Sequence, residues 1–391
     1  MKKILAMAAA FALTSPLCAN NTEPEKNTSE FLPIERFEEG FITHYLNEAI
    51  AKGFNNEDGP AEYGRTQTGF ASAPKFGGYY MAGYYYSSKD GAHSGDGFKQ
   101  KNVRLYVSGT LFNDFAYLVQ LQTANQAFHM KDYWLEWKKY KSFQIKVGQF
   151  IRVFGYENPY TPFDYHDGAY AQITQKLCGQ SDFIVGDNGG GRDQGIQFQG
   201  DLLPVGNDQH SLLHYQFMIS NGQTINSGDK NSQKDLSGTL QIQPIQGLRL
   251  AIWGWTGNFT ADNGVTVDRD RYMVSAFYDK DNWTARAEYA HSTGHKTTDF
   301  QNGRWTGTGE AQGWYATVGI PCGNVVKTWV KYDAYEDDAT KNTLKSIYSV
   351  APNIALHKNM WFQPRVALVH DNNLTDKKNY FEASCEFGVR F

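Results

Sequence analysis

Long hydrophobic runs are missing from this chain. After residue 19 no stretch approaches the roughly 20 apolar residues that a membrane helix needs, so a helical membrane protein is excluded. Cysteine is scarce. Beyond Cys18 only Cys178, Cys322 and Cys385 remain, odd in number and far apart, which gives no disulfide framework. Each reads as a small apolar filler. An excess of positive charge is also lacking. Removing Lys2 and Lys3 from the 37 basic residues leaves 35 against 41 acidic ones, a net of −6, which is no nucleic-acid footprint. Enzyme signatures are absent as well. Gly189-Gly190-Gly191-Arg192 lacks the Gly-Lys-Ser/Thr continuation of a phosphate-binding loop, and no Gly-x-Ser-x-Gly elbow occurs. The ten histidines show no metal-ligand spacing, and Asp90 to Gly97 lacks the order of a calcium-binding EF-hand loop. Neither a metal nor an organic cofactor is implied.

Aromatic residues, by contrast, make up 15% of the chain and glycine contributes 38 residues, at a mean hydropathy of −0.55. That combination suits a β protein in which only alternate strand residues are apolar. Lys2 and Lys3, the apolar run Ile4 to Leu13 and the small Ala19 read as a secretory signal peptide over 1–19. Leu17 is too large for the lipidation motif that Cys18 would otherwise suggest. In 20–75 the apolar residues Ile34, Phe37, Phe41, Tyr45 and Ala49 recur at helical spacing. This predicts a short periplasmic amphipathic helix over 34–50, followed by a linker. The helix either packs at the mouth or on a partner, or plugs the interior.

From Phe76 onward the period is two. Sixteen strands are predicted, at roughly 76–87, 98–110, 113–124, 129–139, 141–151, 192–200, 210–220, 234–243, 247–257, 270–280, 282–292, 312–320, 324–334, 344–356, 360–370 and 379–391. One row is apolar, as in Phe115/Tyr117/Val119/Leu121 or Leu213/Tyr215/Phe217/Ile219, and the other polar. The final segment alternates strictly, with Phe381, Ala383, Cys385, Phe387, Val389 and Phe391 on one face. It resembles the closing strand of outer-membrane barrels, and Phe391 is the residue expected to seal the barrel and to address the barrel-assembly machinery. The connections alternate short and long. Short ones fall near 111–112, 139–140, 201–208, 244–246, 281, 321–323 and 357–359. Long ones fall at 88–97, 125–128, 152–191, 221–233, 258–269, 293–311, 335–343 and 371–378. Tight turns at one end and larger loops at the other are the asymmetry of a transmembrane barrel. The fold class predicted for 76–391 is therefore all-β, a 16-stranded antiparallel transmembrane β-barrel. Its third long loop, 152–191, carries Tyr156, Tyr160, Phe163, Tyr165, Tyr170 and Phe183, too many rings for a solvated loop, and is expected to fold inward.

Several stretches resemble the phosphate-selective porins O and P. They are Lys101 to Gly109, Val147 to Asn158, Gly191 to Gly195, Asn221-Gly222-Gln223 with Asn226, Asp229 and Asn231, Pro244 to Leu248, and Ala287-Glu288-Tyr289. Their order, more than any one motif, carries the resemblance, which spans about 76–391. It implies a 16-stranded barrel in the outer membrane of a Gram-negative bacterium, usually a homotrimer, that passes anions.

Parity places Arg104, Lys146, Arg152, Arg249, Arg271, Arg286, Lys327 and Lys331 on the lumen row, with Lys345, Arg365 and Arg390. These are the candidate pore-lining or anion-path residues. Arg104, Lys146 and Arg152 are the leading three, since an arginine fork matches phosphate oxygens. The same parity turns Asp132, Glu136, Asp193, Asp235, Asp279, Glu288, Asp333, Glu382 and Glu386 inward. Two readings stay open: rings of cations that select anions, or cross-strand ion pairs that stiffen the wall. The functional expectation is a porin, not an enzyme, passing small hydrophilic solutes. Its alternatives are a secreted protein binding glycans through exposed aromatics, and a barrel phospholipase, for which no Ser/His pair can be placed on the lipid face.

Overall fold

The computed structural model describes residues 72–391, apart from 90–95, 125–126, 183, 185–189, 307–308 and 339–340. The expected signal peptide, the 34–50 helix and Phe183 lie outside the described residues. Sixteen strands close into one antiparallel barrel in which each strand pairs with its sequence neighbours. They are β1 (Lys75–Ser87), β2 (Gly97–Leu111), β3 (Phe115–Ala124), β4 (Ala127–Tyr140), β5 (Phe143–Ile151), β6 (Arg192–Val205), β7 (His210–Ser220) and β8 (Asp235–Ile245). The second half comprises β9 (Leu248–Thr260), β10 (Thr266–Lys280), β11 (Trp283–Thr293), β12 (Glu310–Cys322), β13 (Val326–Glu336), β14 (Lys345–His357), β15 (Met360–Asp371) and β16 (Asn379–Arg390). A small hairpin, Phe300–Gln301 with Arg304–Trp305, decorates the loop between β11 and β12.

The seam pairs β1 with β16, with Tyr79 opposite Arg390. Beyond the ladder, Phe391 donates its backbone N–H to Gly78 O at 3.0 Å, and Gly78 N–H returns to Phe391 O at 2.9 Å. Turns at the short end are tight because their residues accept positive φ. Asp281 and Asn282 both do so (53° and 64°), which matches the right-handed twist of the flanking strands in a two-residue hairpin.

Two connections differ from expectation. The turn expected over 201–208 shrinks because β6 runs on to Val205. The long loop expected over 258–269 contracts to 261–265, since the alternation of Val267, Arg269, Arg271 and Met273 continues β10 backward. The barrel is inside-out relative to a protein folded in water. Leu105, Leu236, Leu240, Ile252, Val274, Val330, Val350 and Leu368 are exposed outward, whereas Arg104, Glu136, Asp193, Arg271 and Lys331 are buried inward. In water so large an apolar exterior is an aggregation liability, and in lipid it is the required surface.

Candidate functional site

The loop 152–191 enters the lumen and is fastened to the wall at several places. At its root Arg152 N–H bonds Gly191 O at 2.8 Å, extending the β5–β6 pairing. The Arg152 guanidinium reaches Asp193 Oδ2 at 3.1 Å and Gln223 O at 3.2 Å. Next to it Arg192 pairs with Asp132 at 2.7 Å and bonds Gly190 O at 2.7 Å.

Beside the root stands Trp255. The guanidiniums of Arg152, Arg269 and Arg271 lie 4.2, 4.2 and 4.6 Å from its ring centroid. Three cations around one indole are tolerable because carboxylates interleave them. Arg271 forks onto both oxygens of Asp182 at 2.8 Å, and Arg269 bonds Asp235 and lies 3.7 Å from Asp182. Asp235 also accepts the indole N–H at 2.7 Å. Asp182 belongs to the loop. Burial pushes its carboxyl up, but the charges and hydrogen bonds of Arg271, with Arg269 behind, hold it down at about 2.

A second fastening lies farther round the wall. Lys331 binds Glu157 Oε1 and Ala169 O, each at 3.0 Å, bonds the Tyr165 hydroxyl, and lies 3.6 Å from Asp167. The short helix α1 (Gln172–Leu177) seats here, with Gln172 N–H donating to Asp333 at 2.9 Å. Gly313 makes room for it: a Cβ there would come within 2.7 Å of Ile173 Cγ2. Glu288 accepts the Tyr156 N–H and the Tyr315 hydroxyl, both at 2.8 Å.

The loop's far end reaches β15 and β16, beside the seam. Arg390 Nη2 donates to both carboxylate oxygens of Asp164 at 2.7 Å, and the Trp361 indole donates to Phe163 O at 3.1 Å. Phe163 packs between Tyr79 and Trp361, at 5.4 and 5.7 Å between ring centroids.

The candidate residues named from parity fall into three groups. Arg152, Arg271 and Lys331 are buried in the fastenings. Lys146 is tied to Glu136 at 3.3 Å and lies 4.8 Å over the Trp134 ring. Arg249 donates to Gln243 at 2.8 Å, and Arg286 lies 5.0–5.4 Å from the rings of Tyr156, Tyr160 and Trp329. Arg104 and Lys327 differ. Arg104 bonds the amide oxygens of Gln122 and Gln120 at 2.9 and 3.3 Å, and Lys327 bonds the Thr284 hydroxyl at 2.7 Å. Among the described residues neither has a carboxylate within ion-pair distance. The structure brings Arg152 and Arg271 together on Trp255, and Arg286 and Lys327 together on Trp329. The leading three, Arg104, Lys146 and Arg152, are not gathered at one point.

Parity missed Lys131 and Arg269. Lys131 turns inward beside Asp132 because the β3–β4 register shifts between Val119 and Leu121, so two successive residues face the same side. Arg269 was hidden in the loop expected over 258–269, although unbroken alternation through Val267 would have exposed it. The loop's acids Glu157, Asp164, Asp167 and Asp182 carry no periodic signal.

No protein-family model matches the chain, and no curated protein matches its sequence. Solved structures do. An anion-selective porin from Comamonas acidovorans superposes with a TM-score of 0.58 at 12% identity, over 82% of this chain and 99% of its own. OmpF of Salmonella typhi, solved with daunomycin, gives 0.58 at 12% over 81% and 97%. The outer-membrane channel DcaP of Acinetobacter baumannii gives 0.53 at 11% over 83% and 99%. At such identities the likeness bears on the fold: this chain has the 16-stranded barrel architecture of outer-membrane porins.

Proposed function

We propose that the chain is an integral protein of a Gram-negative outer membrane and forms a passive diffusion channel for small hydrophilic solutes, with a preference for anions. The observation that carries this reading is the reversed polarity of a closed barrel whose charged interior is crossed by its third long loop. Such a wall satisfies its backbone in lipid and leaves a polar path inside. Solutes then divide by size and charge at the loop, and no covalent step or energy source is needed.

The anion preference rests on charge that the wall does not cancel. Most inward cations face a carboxylate. Arg104 and Lys327 have none within 4 Å among the described residues, and a cation without a counter-charge adds to the field felt by a passing ion. Phosphate is the anion that the resemblance to the O and P porins favours, and a homotrimer is the assembly it favours. The test is single-channel recording of refolded protein in planar bilayers. A positive result is ohmic conductance, with a reversal potential in asymmetric KCl of the sign for chloride. Absence of conductance from heat-modifiable, folded protein would overturn the channel reading. Cation preference would overturn the anion part alone. Migration of unheated protein at three times the monomer mass is the outcome expected for the trimer.

A further inference from the structure

The outer wall carries a notch that the barrel does not need for itself. Register aligns five outward residues across five strands: Phe217, Gly238, Gly254, Tyr272 and His291. The two central residues are glycines, flanked by the Phe217 and Tyr272 rings, and Tyr272 stacks on His291 at 5.2 Å. The result is a groove of about 510 Å³, lined also by Leu236, Thr256, Asp270 and Thr293. That volume lies within the range of about 300–1,000 Å³ found for small-molecule sites.

Gly254 is the telling residue. Glycine inside a strand costs backbone entropy and offers nothing to pack, so it usually marks a steric demand or a close approach. Gly257 and Gly238 have such a demand, since a Cβ would meet Asp235 at 1.8 Å and the Gln216 carbonyl at 2.9 Å respectively. A Cβ on Gly254 would meet nothing within 4 Å, and its φ is not in the left-handed region. The fold gives no reason for glycine here. An occupant from outside does.

We propose that this notch holds the acyl chain of a membrane amphiphile whose headgroup offers hydrogen-bond donors. The inference rests on the lipid-facing exterior of the reading above. The rows on either side of the notch fix the occupant's orientation. On the short-turn side Leu240, Ile252 and Val274 continue the apolar belt, so the groove opens into surface built for hydrocarbon. On the long-loop side the next row is Leu236, Thr256, Asp270 and Thr293. Asp268 and Asn258 follow it one step farther. Polarity rises along the groove in one direction, as it does along a lipid. The rim presents the Asp270 carboxylate and the hydroxyls of Thr256 and Thr293; Arg271, the one cation among the lining residues, is buried and turns its guanidinium to the lumen side, where Asp182 closes it. The rim therefore suits an ammonium or sugar-hydroxyl headgroup and disfavours a bare phosphate. A second copy of the chain would bury this polar rim.

The experiment uses refolded full-length protein in phosphatidylcholine vesicles doped with a lipid bearing a mid-chain diazirine. Three headgroups are compared: phosphatidylethanolamine, a monoglycosyl diacylglycerol and phosphatidic acid. Labelled residues are mapped by mass spectrometry. The expected result is several-fold enrichment of label at Phe217, Leu236 and Tyr272 over Val318 and Val350, which face outward elsewhere in the belt. Ethanolamine above glycosyl lipid identifies an ammonium head, and the reverse order a sugar head. Phosphatidic acid should give the least. Gly254→Leu should abolish the enrichment while leaving heat-modifiable mobility and label at Val318 and Val350 unchanged. Asp270→Asn should lower it for the ammonium lipid. Uniform labelling round the belt, or phosphatidic acid labelling best, would overturn the proposal. So would a wild-type oligomer that Gly254→Leu splits without changing the label, since the occupant would then be a second copy. Failure to label Val318 and Val350 as well would instead count against the membrane barrel itself.

Discussion

Arg271 and Arg104 are the same residue type on the same face of the same wall, and they do opposite things. Arg271 sits at Trp255 with two further arginines and three buried aspartates around it, and both oxygens of Asp182 close its fork. Arg104 points into the lumen from β2, bonded to two glutamine oxygens and 5.7 Å over the Tyr79 ring, with no carboxylate in ion-pair range among the described residues. Burial does not distinguish them, since their exposures are 4% and 5%. The counter-charge does. The carboxylate that closes Arg271 belongs to the loop, so this cation fastens it; on the proposed channel reading Arg104 is instead a source of field in the lumen.

The largest effect is expected at the loop fastening. Arg271→Ala strands Asp182 beside a weaker partner. Removing one side of a buried pair costs about 3–5 kcal/mol. The expected outcome is a loop between 160 and 185 that becomes open to protease, a lower melting temperature of the heat-modifiable band, and larger conductance. If trypsin access and conductance matched wild type, the cluster at Trp255 would not be what restrains the loop.

The next effect is reached without mutation. The Asp182 carboxyl is held at about 2 in the fold, below the ordinary aspartate value of about 3.8. A depressed carboxylate gives stability that is fully present above the unfolded value and disappears as pH falls through the folded one. The fastening should therefore persist to about pH 4 and weaken between there and pH 2, visible as rising conductance on acidification. Asp182→Asn should lose this response. A transition centred near pH 6 would point to another group.

Selectivity sharpens the same contrast from the other side. Arg104→Ala and Lys327→Ala should shift the reversal potential in asymmetric KCl toward cations while leaving the melting temperature nearly unchanged. Arg152→Ala should behave like Arg271→Ala, destabilising the loop. If Arg152→Ala instead moved selectivity and spared stability, the division between paired and uncancelled cations would be wrong. The smallest effect on selectivity belongs to Lys146. Its side chain is 11% exposed and its ammonium lies 3.3 Å from the buried Glu136, so Lys146→Met should lower the melting temperature while barely moving the reversal potential.

Much of the barrel was legible because one physical rule repeats in it. A strand between lipid and lumen must alternate, so the sixteen strands and the inward row that holds Arg104, Arg271 and Lys331 could be read two residues at a time. Alternation says which way a side chain points, but not what it meets. Arg152 and Arg104 looked alike for that reason: register between strands decides that the first meets Asp193 and that the second meets Gln122 and Gln120. Lys131 was lost to a single bulge, and Arg269 to a loop drawn too long. The 152–191 loop has no period. Its rings announced burial, whereas its seats on Lys331, Trp361 and Arg390 follow from the three-dimensional path alone.

That path has a consequence for the order of assembly. The tip of the loop is held by Asp164–Arg390 and by Trp361, which belong to the two strands farthest along the chain. Contacts so distant in sequence are slow to form, because the intervening chain must first be organised. The same strand, β16, also completes the seam with β1. Seating of the loop's tip and closure of the wall therefore share one late event, and a barrel caught before it would have an open edge and a free tip together, with the loop still held at Arg271 and Lys331.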